Sequence, residues 1–261
     1  LKMTGTVEIL DTTLRDGEQT SGVSFNDEEK LTLAKILLED LGVNRIEVAS
    51  ARVSQGELSA FRRICAWAET AGRLEQVEAL GFVDGGQSIR WISESGGRVL
   101  NLLAKGSLKH VTTQLGKTPE EHWNDILRDV ALAHAAGLGV NIYLEDWSNG
   151  MKDSPEYVKS MVRALKDSGI RRFMLPDTLG VLSPEQTAEF VGEMVSEFPD
   201  LHFDFHGHND YDLSVANSAA AVKAGARGVH TTVNGLGERT GNTPVASFLG
   251  VLNDHLKVAN T

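Results

Sequence analysis

Cysteine is almost missing from this chain: Cys65 stands alone among 261 residues. One thiol forms neither an internal disulfide nor a cysteine-based zinc site. Its setting, FRRICAWAE, is an amphipathic helical pattern in which a buried, inert thiol is expected. Long apolar runs are missing too. No stretch approaches the roughly 20 residues of a membrane-spanning helix, and LKMTGTVEIL has no signal-peptide core. Together these absences point to a reducing, cytoplasmic setting without a membrane partner. Basic charge is scarce, with 25 Lys and Arg against 36 Asp and Glu and a formal net charge of −11. That argues against nucleic-acid binding, which needs a basic face, yet leaves room for an anionic substrate at one well-placed Arg or metal. Linkers and low-complexity segments are absent as well, so a single domain over 1–261 is expected.

What is present is alternation. Short β-rich runs lie at VEILD (7–11), RIEVA (45–49), VEALGF (77–82), VLNLL (99–103), VNIYLE (140–145), RFMLP (172–176), HFDFH (202–206) and GVHTTV (228–233). Amphipathic segments separate them, from DEEKLTLAKILLEDLG to DLSVANSAAAVKAG, and TPVASFLGVLNDHLK follows the last. Thr118-Pro119, Ser154-Pro155 and Ser183-Pro184 read as N-caps with proline in the first helical position. Gly42, Gly72, Gly137, Gly169 and Gly225 fall where helices should stop. Eight strands alternating with eight helices imply parallel strands with crossover helices. At this length the α/β class is best met by a closed TIM (β/α)8 barrel, ahead of an open doubly wound sheet.

A barrel gathers its chemistry just beyond the C-terminal ends of its strands. The polar clusters lie there: TLRDGEQ after the first strand, Glu47 in the second, Glu145-Asp146 after the fifth, Asp177-Thr178 after the sixth. HGHND follows the seventh and NGLGERTGN the eighth. The opposite loops (LGVNR, AGLG, SGIR) are short and plain. This asymmetry points to an enzyme.

His206 and His208 are two residues apart at a strand end, so both imidazoles point the same way. Two imidazoles need further ligands and an open position. Asp16 at the end of the first strand and Asn242 beyond the eighth can supply them, and this mixed N/O set suits Zn, Mn, Mg or Fe(II). Arg15 can bind a carboxylate or stabilise a developing oxyanion, or it can pair with Glu18 or Glu47 to hold the rim; Glu47 can also orient it. His110, His122 and His134 have no ligand-pattern partner, and His202, His230 and His255 are assigned no role. Trp67, Trp91 and Trp123 read as helix-packing residues. NGLGERTGN lacks both the G-x-G-x-x-G spacing and a P-loop lysine, so it reads as a turn that brings Asn242 close to an ion.

LDTTLRDGEQ, HGHND and NGLGERTGN, in that order and at those strand ends, resemble the acetyl-CoA-condensing branch of the metal-dependent lyase-type barrels. These are the 2-isopropylmalate, homocitrate and citramalate synthases. The resemblance implies a divalent ion (Zn, Mn or Mg) on Asp16, His206, His208 and Asn242, with acetyl-CoA as co-substrate. It further implies that Arg15 polarises the keto oxygen, Thr178 binds the substrate carboxylate and Glu145 is a catalytic carboxylate; Glu47, beside Arg15, is expected to help hold the substrate. Hydroxymethylglutaryl-CoA lyases share the barrel, but their cysteine-bearing glycine loop is absent. Leu80, Leu103 and Tyr143 close three strand ends with bulk, and LGFVDG, NLLAKGS and YLEDWSNG look similar to bacterial citramalate synthases. Pyruvate, and so (R)-citramalate in branched-chain amino-acid biosynthesis, is therefore expected ahead of 2-oxoisovalerate and 2-isopropylmalate. A homodimer is expected, and the chain reads as the catalytic barrel without the family's C-terminal linker and regulatory domains.

Overall fold

The computed structural model describes residues 6–258. Its eight strands are β1 (Glu8–Asp11), β2 (Arg45–Ser50), β3 (Val77–Phe82), β4 (Val99–Lys105), β5 (Gly139–Glu145), β6 (Phe173–Asp177), β7 (Phe203–Gly207) and β8 (Gly228–Thr231). Each pairs in parallel with its neighbours in sequence, and β8 closes onto β1 from Glu8↔Gly228 to Asp11↔Thr231. The barrel is closed, and the open-sheet alternative is excluded. The last strand ends at Thr231, two residues short of the expected Val233. The Val233 amide turns away to donate to Thr13 Oγ1 at 2.8 Å, and Asn234 takes a left-handed φ of 54°.

The helices are α1 (Asp27–Lys35), α2 (Gln55–Thr70), α3 (Gln87–Glu94), α4 (Leu108–His110), α5 (Pro119–Ala135), α6 (Trp147–Asp153), α7 (Pro155–Leu165), α8 (Pro184–Glu197), α9 (Ser214–Lys223) and α10 (Val245–Val251). Thr118 and Ser183 cap α5 and α8 in reciprocal capping boxes with Glu121 and Gln186. Ser154 does not cap α7. It also ends α6, and its hydroxyl reaches back 3.4 Å to the Gly150 carbonyl. The five expected helix-stopping glycines all have positive φ.

Both short helices, α4 and α6, sit at the barrel mouth and have no counterpart in the pattern of apolar residues. Gly150 lets α6 lie directly on the backbone after β4, where a Cβ would overlap the Gly106 carbonyl. Two of the tryptophans pack as expected: Trp91 stacks on Phe61 with centroids 5.2 Å apart, and Trp123 stacks on Tyr157.

The main apolar core lies between strands and helices, from Ile9, Ile46 and Val140 out to Phe61, Ile126 and Met161. Inside the barrel the filling differs. Alternation along the strands directs Arg45, Glu47, Glu78, Asn101, Asn141, Asp204 and His230 to the same side, and all are buried. Interleaved with these polar groups is a small apolar cluster of Leu10, Leu80, Tyr143 and Met174, joined by Leu103. The lumen is therefore filled by a hydrogen-bonded plug with an apolar cluster packed against it.

Candidate active site and metal centre

The loop after β1 is tied to the loop after β8. Asp11 accepts the Thr13 amide at 2.9 Å, and burial pushes its carboxyl up to about 6 against the pull of that bond. The Thr12 amide donates to the Thr231 carbonyl at 2.8 Å, and Thr12 O in turn receives the amides of Arg15, Asp16 and Gly17. Thr20 and Gly237 exchange two hydrogen bonds across the same gap, at 3.1 and 2.8 Å. Asp16 is thereby held over the mouth, facing β7.

Opposite, His206 Nε2 lies 3.3 Å from Asp16 Oδ2 and 3.3 Å from His208 Nε2. The ligand atoms of all three residues fall within 4.8 Å of one another, and all three residues are buried. Burial would raise the Asp16 carboxyl, but Arg15 and His206 outweigh it and hold the group well below the usual range. Burial also lowers both imidazoles, His208 to about 4 with the help of His206, so their nitrogens keep the lone pairs a metal needs.

Asn242 is bridged to His208 through the backbone, and its Nδ2 donates to the Leu236 carbonyl at 3.0 Å. Its Oδ1 is buried without a hydrogen-bond partner among the described residues. Gly237 makes this placement possible, since a Cβ there would overlap the Asn242 amide. An orphaned carbonyl oxygen beside a carboxylate and two neutral imidazoles fits a divalent cation with mixed N/O ligation.

Arg15 roofs the polar plug. Its Nε donates to Glu47 Oε2 at 2.5 Å, and its Nη1 lies 3.4 Å from Asp16. Glu47 Oε1 accepts Asn101 Nδ2 at 2.7 Å, and Asn101 Oδ1 accepts Asn141 Nδ2 at 2.9 Å. Burial disfavours the Arg15 cation, but Glu47 and then Asp16 more than offset this and keep it charged. Glu47 orients Arg15 from behind. Wholly buried, it does not line the cavity where substrate contact was expected.

Arg15, Asp16, His206, His208, Leu80, Leu103, Tyr143, Glu145 and Thr178 all line one cavity of about 280 Å³. Gln19, Ser50, Val53, Phe82, Pro176 and Glu238 complete it. Gln19, Phe82, Pro176 and Glu238 lie in strand ends or mouth loops already marked by the sequence, whereas Ser50, the last residue of β2, and Val53, in the loop after it, carry no motif signal. Thr178 Oγ1 accepts the Asp146 amide at 2.9 Å, so its proton is free to be donated elsewhere. Glu145 is ion-paired with Lys105, a residue that carried no motif signal. The register Lys105↔Glu145 between β4 and β5 sets the two side by side. Arg239 clasps the rim through both Asp210 oxygens, at 2.8 and 2.9 Å, and through the Thr178 carbonyl at 2.8 Å. A second cavity, of about 580 Å³, adjoins across Thr178 and is lined by Ser107, Lys109, His110, Asp146 and Asn149 among others.

The HMGL-like family model matches residues 6–259. The chain belongs to the HMGL-like family. It is 33% identical over 256 residues to a homocitrate synthase of Sulfolobus acidocaldarius, covering 97% of this chain and 53% of that protein. To a putative (R)-citramalate synthase of Methanopyrus kandleri it is 37% identical, with 95% and 47% covered. To a probable 2-isopropylmalate synthase of Ignicoccus hospitalis it is 35% identical, with 97% and 61% covered. The chain thus spans about half the length of these relatives. A crystal structure of HMG-CoA lyase from Brucella melitensis has the same fold, with a TM-score of 0.81 at 20% identity over 98% of this chain and 93% of that one. The family read from the three motifs holds, and the curated relatives of this HMGL-like barrel carry three different synthase names. Among the described residues, no helix is long and apolar enough to cross a membrane.

Proposed function

We propose that this barrel condenses acetyl-CoA with a small 2-oxo acid, pyruvate best of all, to give (R)-citramalate and CoA. The observation that carries the reading is a juxtaposition. The Asp16–His206–His208 trio and Arg15 stand at one side of a cavity whose floor is the Leu80–Leu103–Tyr143 cluster. A divalent ion on Asp16, His206, His208 and Asn242 would act as a Lewis acid toward the carboxylate and keto oxygens.

The residues of the chain divide the remaining work. Arg15, fixed by Glu47, faces negative charge developing on the keto oxygen. The Thr178 hydroxyl serves the substrate carboxylate. Glu145 takes a proton from the acetyl methyl group. The carbanion forms the new carbon–carbon bond at the keto carbon as the C=O π bond opens, and the resulting alkoxide takes up one proton, balancing the one removed from the methyl group, to become the hydroxyl. Water then cleaves the thioester and releases the CoA thiol. Glu145 lines the first cavity while its neighbour Asp146 lines the larger adjoining one, an adjacency that supports reading the second cavity as the site of the pantetheine arm.

Three bulky side chains around the acid's substituent favour methyl, since a methylene more or less in an apolar pocket shifts discrimination by about 1–3 kcal/mol. The second reading, 2-isopropylmalate synthesis from 2-oxoisovalerate, draws on the likeness to the Ignicoccus hospitalis protein. Thiol release from acetyl-CoA, measured against pyruvate, 2-oxobutyrate, 2-oxoisovalerate and 2-oxoglutarate, tests both. Pyruvate is expected to lead, with release lost on chelation and restored by a divalent ion. A lead for 2-oxoisovalerate replaces the first reading with the second. Cleavage of a 3-hydroxyacyl-CoA with no condensation would replace both with lyase chemistry.

A further inference from the structure

Beneath the floor of the cavity a row of hydrogen bonds crosses the lumen. Tyr143 Oη (β5) lies 3.1 Å from His230 Nδ1 (β8), and His230 Nε2 lies 3.1 Å from Asp204 Oδ2 (β7). Asp204 Oδ2 also receives Arg45 Nη2 (β2) at 2.7 Å, and Asp204 Oδ1 meets His202 Nε2 at 2.8 Å. Tyr143, His230 and Asp204 are all buried. None of this row beyond Tyr143 lines the cavity.

The chemistry orders the protons along the row. Asp204 Oδ2 is ion-paired with the Arg45 guanidinium, which donates to it, so the carboxylate is an acceptor in this row. An ionised carboxylate only accepts, so His230 donates from Nε2. A neutral imidazole then offers only a lone pair at Nδ1, and the Tyr143 hydroxyl must be the donor there. Its proton is directed away from the cavity. What the cavity meets is the ring, which has Arg15 5.9 Å from its centroid and His206 against its edge. A separate observation shows that the barrel makes room for this row: at Gly228, which pairs with Asp204, any Cβ would overlap the carboxylate.

We propose that His230, held by Asp204, is a positioning residue that locks the Tyr143 ring and so sets the size of the 2-oxo acid side chain the cavity accepts. The proposal rests on the condensation reading above. His230 touches neither substrate nor reacting atoms. It acts by giving the tyrosine hydroxyl one fixed acceptor, which removes the rotation that would otherwise open space beside Leu80 and Leu103.

The test compares wild-type protein with His230→Gln, Tyr143→Phe and the double variant. Thiol release from acetyl-CoA is followed with pyruvate and 2-oxobutyrate, and near-ultraviolet circular dichroism verifies folding. Each single change is expected to lower kcat/KM for pyruvate about tenfold, the loss of one hydrogen bond worth about 1.4 kcal/mol. The preference for pyruvate over 2-oxobutyrate should narrow about fivefold while KM for acetyl-CoA stays unchanged. The double variant should be no worse than the poorer single one, because both changes break one link. Equal losses with both acids, or additive effects in the double variant, overturn the proposal. Should His230→Gln fail to fold, Tyr143→Phe decides alone, since it deletes one atom and keeps the ring. Wild-type protein that condenses while Tyr143→Phe keeps full discrimination overturns the positioning role only. Wild-type protein that releases no thiol with any 2-oxo acid overturns the condensation reading and this role with it.

Discussion

Arg15 Nε donates to Glu47 Oε2 at 2.5 Å from a cavity wall to a carboxylate with no exposed surface. A guanidinium held this way keeps its charge and its direction without help from solvent. The partner that fixes it is itself fixed by Asn101, so the aim of Arg15 is set two residues deep in the barrel.

Glu47→Gln should therefore cost both stability and rate. It leaves the Arg15 cation buried without its counter-charge, a change that costs about 3–5 kcal/mol when one partner of a buried pair is removed. The urea midpoint should fall accordingly, and thiol release should drop by about 10²-fold. An unchanged midpoint would show that Asp16 suffices as the counter-ion.

Glu145→Gln should separate chemistry from binding. Loss of a positioned base lowers kcat by about 10²–10⁴, while KM for the 2-oxo acid should hold within about twofold. Glu145 is part-exposed and its partner Lys105 can turn to water, so thermal stability should hardly move. Substantial residual kcat in this variant would assign the proton transfer to another group.

Metal content reports on the trio without any activity assay. After dialysis against a divalent ion, elemental analysis should find one ion per chain. Asp16→Asn and His208→Ala should lose it, whereas His134→Ala, on the far end of α5, should retain it. Equal metal content in all the variants would place the ion elsewhere.

Acid stability should depend on His122. Its Nε2 accepts the Lys105 amide at 3.1 Å at the end of β4, and burial, with Lys117 nearby, lowers it to about 4. The unfolded chain, with an ordinary value near 6.5, binds this proton first. The contribution of His122 is thus present above about pH 6.5 and is lost as pH falls toward 4. His122→Gln keeps an acceptor that does not titrate, so its urea midpoint should fall less than that of the wild type across this window. Parallel curves would exonerate His122.

Cys65 should resist alkylation. Burial pushes its thiol up to about 12, and the residue is 2% exposed on α2. At pH 8 roughly one thiol in 10⁴ is ionised, so iodoacetamide should label it only after denaturant is added. Labelling of native protein at the rate of a free thiol would contradict this burial.

Much of this is legible in the sequence alone. Strand alternation is written in residue type, because every second side chain of a barrel strand meets the helix layer; Ile9, Ile46 and Val140 show it. His206 and His208 could be paired from spacing alone, since two residues along a strand return to the same face. Lys105 beside Glu145, and the row from Tyr143 to Arg45, could not be found that way. Their partners are 26 to 159 residues apart, and a lone Lys or His carries no periodicity. Helix α6 was hidden because WSNGMKD is too short for its pattern to rise above that of a loop.

By itself the sequence determined the barrel, the loops that bear chemistry and the residue types able to hold an ion, because these follow from local pattern and strand count. Only the tertiary structure decided what each polar group faces. Closure of β8 onto β1 brings Asp16 to His206, and the register across the lumen gives Glu47 to Arg15 and His230 to Tyr143. Those pairings depend on distances across the barrel, which no spacing along the chain encodes.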